Sequence, residues 1–171
     1  MRRVFGITGW KNSGKTTLTE KLVTELVARG WTVSTVKHAH HDFDIDKPGA
    51  DSFRHRQAGA TEVAIVSGRR WALMHELRGE DEPTLDDILA RLSPSDIVLV
   101  EGYKREAHKK IEARRLEAKD RTPLSANDPN IVAVAADFTV ANEDLPVFDL
   151  NDTKSIADFV ERSTGLVAQT K

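Results

Sequence analysis

The chain has 171 residues, 39% apolar and 30% charged, a balance that suits a single globular domain over residues 1–171 with room for a real core. Its formal net charge is −2, so no global positive field draws it to nucleic acid or to a membrane surface. The absence of cysteine excludes disulfides, thiolate zinc sites and a cysteine nucleophile. No apolar run approaches membrane-spanning length, and Met1-Arg2-Arg3-Val4 leads straight into a strand with no signal-like apolar stretch, so a cytoplasmic setting is expected.

Residues 4–8 form an unbroken apolar strand, as in a sheet covered on both faces. Gly9-Trp10-Lys11-Asn12-Ser13-Gly14-Lys15-Thr16 follows and fits the P-loop spacing of glycine, four residues, then Gly-Lys-Ser/Thr. Residues 17–28 read as a helix, with Leu18, Leu22, Val23, Leu26 and Val27 on one side and Gly30 at its end. This strand, glycine turn and helix together make a phosphate cradle, because turn amides and a helix N-terminus converge on an anion. Residues Gly9 to Thr17 are thus the candidate nucleotide contacts, with Lys15 on the β/γ-phosphates and the Thr16 hydroxyl on Mg²⁺. Lys11 is either a second positive charge beside the phosphates or a solvated lysine.

Residues 32–37 form a second strand, joined to the first by a right-handed crossover in a parallel sheet. The loop after it carries His38, His40, His41, Asp42, Asp44 and Asp46. It leaves the carboxyl end of a strand, where open α/β sheets bind ligands, so an aspartate such as Asp44 could orient water or Mg²⁺ at the γ-phosphate. The alternatives are a solvated acidic loop or a histidine metal site. An EF-hand is excluded, because Lys47 and Phe53 occupy the positions that need glycine and glutamate. Residues 51–58 form a short helix whose Arg54, His55 and Arg56 are either solvated or a clamp for an anion.

Residues 62–67 and 70–77 alternate around Gly68-Arg69, an antiparallel hairpin at a sheet edge or in an insertion, whose outer strand a second subunit could cover. Trp71 and Met74 are expected in a core or interface. Thr84 caps a helix to Leu92. Residues 96–102 resemble a Walker B strand ending in Glu101, the metal-side acid; Asp96 lies at the wrong end. Residues 104–110 are basic and read as a solvated face or an anion site, 111–115 as a short strand, and 117–130 as a mobile loop. Residues 131–136 form a buried strand ending in Asp137, which either reads guanine through N1–H and N2–H or ends the strand in a turn. Residues 146–150 form a last strand, and Asp152 or Thr153 caps a terminal helix that ends at Gly165. The expected fold is α/β, a P-loop NTPase with a mostly parallel central sheet, flanking helices and an antiparallel hairpin at or near the sheet edge.

The runs Thr8 to Thr17, Lys37 to Gly49, Arg54 to Ala60, Arg70 to Met74, Val98 to Lys104 and Val132 to Asp137 resemble the MobB family of molybdopterin-guanine dinucleotide biosynthesis adaptor proteins. The resemblance implies a homodimeric GTP-binding protein of weak hydrolytic activity that uses Mg²⁺. It also implies assistance to the nucleotidyltransferase MobA, which joins GMP to molybdopterin. Here Val134-Ala135-Ala136-Asp137 replaces the usual guanine motif Asn-Lys-x-Asp, so GTP rests on the resemblance and on Asp137. Two other functions fit the core, a small-molecule kinase using Arg54–Arg56 or the arginines of 114–121 as a lid, and a GTP-bound scaffold without hydrolysis. If hydrolysis occurs, Lys15 neutralises charge while Asp44 or Glu101 orients water.

Overall fold

The computed structural model describes residues 2–39, 43–141 and 143–167. Strands β1 (Val4–Thr8), β2 (Val33–Lys37), β5 (Ile97–Glu101), β6 (Lys110–Arg114), β7 (Ile131–Ala136) and β8 (Val147–Asp149) form one sheet in the order β2-β5-β1-β6-β7-β8. Every pairing in it is parallel. Strand β5 therefore inserts between β1 and β2, an order that no local pattern discloses. From β1 the chain builds first to one side and then to the other, so the reversal of strand order falls at β1, where such sheets bind ligands. Helices α1 (Lys15–Ala28) and α4 (Thr153–Thr164) pack together on one face over Phe5, Ile7, Leu99, Ile111 and Ala135. This is the central parallel sheet with flanking helices expected of a P-loop NTPase.

The chain divides into two compact units, Met1–His38 with Ile88–Lys171, and Ala39–Asp87. The second holds α2 (Asp51–Gln57) and the hairpin of β3 (Glu62–Val66) with β4 (Trp71–His75), which forms its own two-stranded antiparallel sheet. Of the two expected settings for the hairpin, an insertion is therefore the one observed. Helix α3 (Leu85–Arg91) begins at a reciprocal cap. Thr84 Oγ1 accepts from the Asp87 N–H at 3.2 Å and Asp87 Oδ2 accepts from the Thr84 N–H at 3.0 Å. Asp152 caps α4 through the Ser155 N–H at 3.1 Å, and Gly165 ends it in the left-handed region.

Four expectations need correction. Helix α1 begins at Lys15 rather than Thr17, because Gly14, with φ 90°, supplies the left-handed turn that starts it. Val27 is exposed, since the buried stripe of α1 runs through Leu18, Leu22 and Leu26. Trp71 is 69% exposed and so lies outside any core of the chain. The basic run does not end in a solvated face, because Lys110 is 1% exposed and bonds Asp128 at 2.7 Å. On β6, Lys110, Glu112 and Arg114 point away from the helical layer while Ile111 and Ala113 point into it. Glu112 accepts from the N–H groups of Leu124 and Ser125, and Arg114 pairs with Glu112 at 2.7 Å and Glu143 at 2.8 Å. These bonds tie the stretch 117–130 to the sheet, although its sequence reads as a mobile loop.

Candidate functional site

Parallel register brings the carboxyl ends of β1, β2 and β5 level. Ile7 pairs with Glu101, and Lys37 pairs with Glu101 from the other side. The turn after β1 is as tight as its glycines permit. At Gly9, with φ 143°, a Cβ would collide with Ser13 Oγ and the Ala113 carbonyl, so only glycine fits. Asn12 also takes a positive φ, 63°, which asparagine tolerates better than most residues. The Ser13 N–H bonds the Trp10 carbonyl at 3.2 Å, closing the turn, and α1 leaves with its first amides aimed back into it. Ser13 Oγ and Thr8 Oγ1, buried at the root of the loop, have no hydrogen-bond partner among the described residues.

Three of the expected site residues meet here. Thr16 Oγ1 donates to Glu101 Oε1 at 2.8 Å, and Lys15 Nζ donates to the Trp10 carbonyl at 2.6 Å. Glu101 is buried at the end of β5. Two lysines that the motifs do not single out join them. Lys37 Nζ lies 3.8 Å from Glu101 Oε1, and Lys104 Nζ sits 4.1 Å from the centre of the Trp10 ring. Burial is the largest influence lowering the Lys15 pKa; Glu101 opposes it, and Lys104 and Lys37 add to it. Lys15 thus feels two further ammonium groups and one carboxylate, a net positive setting that attracts a polyanion. The remaining P-loop residues Lys11, Asn12 and Thr17 are exposed.

The hydroxyl of Thr16 and the carboxylate of Glu101 are hard oxygen donors at hydrogen-bond distance from each other, a set that suits Mg²⁺ completed by phosphate and water. No group of three or more His, Asp or Glu that could hold a metal occurs among the described residues.

A cavity of about 120 Å³ opens beside the P-loop, lined by Gly14, Thr17, Lys21, Arg115, Asp137 and Asn151 among others. Asp137 accepts from the Leu116 N–H at 2.8 Å and from Arg115 Nε at 3.4 Å. That first bond is the turn role; the carboxylate retains lone pairs for a second donor facing the cavity. Sequence reading named Gly14, Thr17 and Asp137 and offered Arg115 only within an arginine lid; it missed Asn151 and Lys21. Their signal is position just past a strand's carboxyl end or one turn into α1. A larger cavity, about 400 Å³, lies at the amino end of β1 between Arg2, Arg3, Lys109 and Gly165, away from the P-loop. Its cations serve structure: Arg3 and Lys109 donate to the carbonyls of Gly165 and Ser163 at the end of α4.

In the second unit, Asp44 accepts from Arg56 Nη2 at 2.9 and 3.0 Å and from the Asp46 N–H at 2.9 Å. The Asp46 amide bond, then the Arg56 contact, holds the Asp44 carboxyl below its usual range. Any part Asp44 takes in hydrolysis requires release from Arg56. Arg56 also pairs with Glu76 at 2.9 Å and is mostly buried, so it is neither a solvated arginine nor an open anion clamp. Arg114, the first arginine of the other proposed lid, is likewise engaged. Of the histidine and aspartate loop, His40, His41 and Asp42 lie outside the described residues. The His38 ring packs 5.0 Å from that of Tyr103, and the main-chain N–H of His38 donates to the Glu101 carbonyl at 2.9 Å.

Residues 4–137 match the family model described as molybdopterin guanine dinucleotide synthesis protein B, MobB. The chain is 42% identical over 159 residues to the molybdopterin-guanine dinucleotide biosynthesis adapter protein of Escherichia coli K12, covering 92% of this chain and 90% of that one. It is 42% identical over 161 residues to the Haemophilus influenzae protein of the same name, covering 92% and 87%. Among solved structures, a MobB homolog from Bacillus stearothermophilus superposes with TM-score 0.70 at 33% identity, covering 96% of this chain and 99% of that one. Bacillus subtilis MobB superposes with TM-score 0.75 at 24% identity over 95% and 98%, a likeness of fold.

Proposed function

This chain belongs to the MobB family, and we propose that it is a GTP-binding adapter in molybdopterin guanine dinucleotide synthesis that hydrolyses GTP slowly. The observation that carries the reading is the meeting of Lys15, Thr16 and Glu101 at the carboxyl ends of β1 and β5. In the nucleotide complex Lys15 leaves the Trp10 carbonyl for the β/γ-phosphates, and the amides of residues 9–16 bind phosphate oxygens. Thr16 and Glu101 would hold Mg²⁺, which when bound neutralises charge on the phosphates. The orphaned Ser13 hydroxyl supplies a further donor at the loop's root. Hydrolysis is attack of water on the γ-phosphorus, with breakage of its bond to the β-phosphate oxygen and release of GDP, inorganic phosphate and a proton. Glu101 helps to order the attacking water, and without an arginine finger turnover is slow.

Guanine would lie toward the cavity of Asp137, whose carboxylate accepts N1–H and N2–H. A GTP against ATP titration with Mg²⁺ tests this. GTP should bind more tightly, and Asp137→Asn should remove most of the preference; equal affinities would refute guanine selection. The adapter is also proposed to act as a homodimer in the cytoplasm alongside the nucleotidyltransferase MobA and its molybdopterin substrate. Support for the dimer comes from the apolar face that Val66, Trp71 and Leu73 present on the hairpin. No helix among the described residues is long and apolar enough to cross a membrane. Sedimentation with and without GTP tests self-association, and a monomer at micromolar concentration would refute it.

A further inference from the structure

The cations of this chain fall into two kinds by what they rest on. Lys110, Arg114, Arg56 and Arg29 each hold a carboxylate at 2.9 Å or less. Lys104 has no carboxylate within salt-bridge distance among the described residues, and its ammonium rests on the face of Trp10. A cation over an aromatic face is held weakly, by about 0.5–1 kcal/mol where solvent reaches it, far less than a phosphate would offer. Trp10 is itself pinned, since its Nε1–H donates to the Thr122 carbonyl at 2.7 Å. Its main chain holds Lys15 while its ring holds Lys104, so one P-loop residue positions two ammonium groups. Lys104 follows three residues after Glu101, past the turn at Gly102, and repels Lys15 electrostatically.

We propose that Lys104 is a second phosphate-binding cation, held on the Trp10 indole in the nucleotide-free protein and transferred to the terminal phosphate when a nucleoside triphosphate binds. This rests on the nucleotide-binding reading above and deepens it. Lys104 adds positive charge at the terminal phosphate from within the chain, as a binding contact. It also gives the protein a means to tell triphosphate from diphosphate. A diphosphate engages Lys15 and the loop amides but lacks the terminal oxygens that draw Lys104 off the ring.

The test is a titration of wild type, Lys104→Gln and Lys104→Arg with a non-hydrolysable GTP analogue and with GDP, both with Mg²⁺, read by calorimetry. Lys104→Gln should bind the triphosphate about tenfold more weakly and GDP within about twofold of wild type, with Lys104→Arg restoring most of the loss. Tryptophan emission gives an independent readout in the unsubstituted chain. The triphosphate should change it, GDP should change it little, and Trp10→Phe should abolish the difference. Wild-type triphosphate affinity in Lys104→Gln, equal losses for both nucleotides, or emission that does not distinguish them would overturn the role of Lys104 alone. Failure of wild type to bind either GTP or ATP would overturn the nucleotide-binding reading with it.

Discussion

Two clusters of charge lie on neighbouring strands and are built on opposite terms. On β6, Lys110, Glu112 and Arg114 are buried and closed by Asp128 and Glu143, so that each charge meets an opposite one at 2.8 Å or less. Past the ends of β1 and β5, Lys15 is coupled to one carboxylate, Glu101, and to two further cations, Lys37 and Lys104. The first cluster pairs its charges without a ligand, leaving Arg114 Nε alone without a hydrogen-bond partner among the described residues, and the second is left cationic. Charge balance, rather than charge content, separates the part that holds the sheet from the part proposed to bind nucleotide.

Removing a charge from each side tests that contrast. Glu112→Ala should have the largest effect, a loss of about 3–5 kcal/mol in urea denaturation, because two part-buried backbone amides lose their acceptor and buried Arg114 keeps only Glu143 of its two carboxylates. A loss under 1 kcal/mol would mean that the network is not closed as described. Lys15→Ala should do the reverse. Triphosphate affinity by calorimetry should fall by about a hundredfold or more, while the melting temperature holds or rises slightly as like charges are thinned. Unchanged affinity would remove the phosphate-site assignment.

Titration separates the clusters more gently. Burial, then Lys110, lowers the His108 pKa to about 4 from 6.5, partly opposed by Asp128. The unfolded chain then binds this proton more readily than the folded one, so stability falls as the pH drops from 6.5 towards 4 and is flat above. His108→Gln should reduce that slope, and denaturation curves at pH 7 and pH 5 measure the difference. An unchanged slope would show that His108 does not titrate in this window. The smallest effect belongs to Lys37→Gln. With its side chain 62% exposed, it should weaken triphosphate binding by about two- to threefold at low salt, and the deficit should fade at higher ionic strength.

What the sequence discloses follows the range of the interaction. The P-loop is legible because its spacing is local, and so are the caps at Thr84, Asp152 and Gly165. Glu101 is legible once a P-loop stands upstream. The order of the strands is not, since β5 reaches β1 across residues 9–96 of chain. Nor is the pairing of Lys104 with Trp10, which depends on how the turn after Glu101 returns to the loop. The Lys-Ile-Glu-Ala-Arg strand misleads most directly. Its first lysine closes a run that reads as a solvated face or an anion site, but the partners that bury its charges come from positions 128 and 143. Trp71, expected in a core or an interface, stands exposed, which removes the first setting and leaves the second.

The charges of β6 also act as a key for assembling the sheet. A slip of one residue against β1 would swing Lys110, Glu112 and Arg114 into the layer of Phe5, Leu18 and Ile156, and would turn Ile111 and Ala113 toward the acids. An all-valine strand would pay no such penalty for misalignment. The strand that looks least suited to the middle of a sheet is therefore the one that resists misalignment, and it thereby sets the level at which Arg115 stands beside Gly14 of the P-loop.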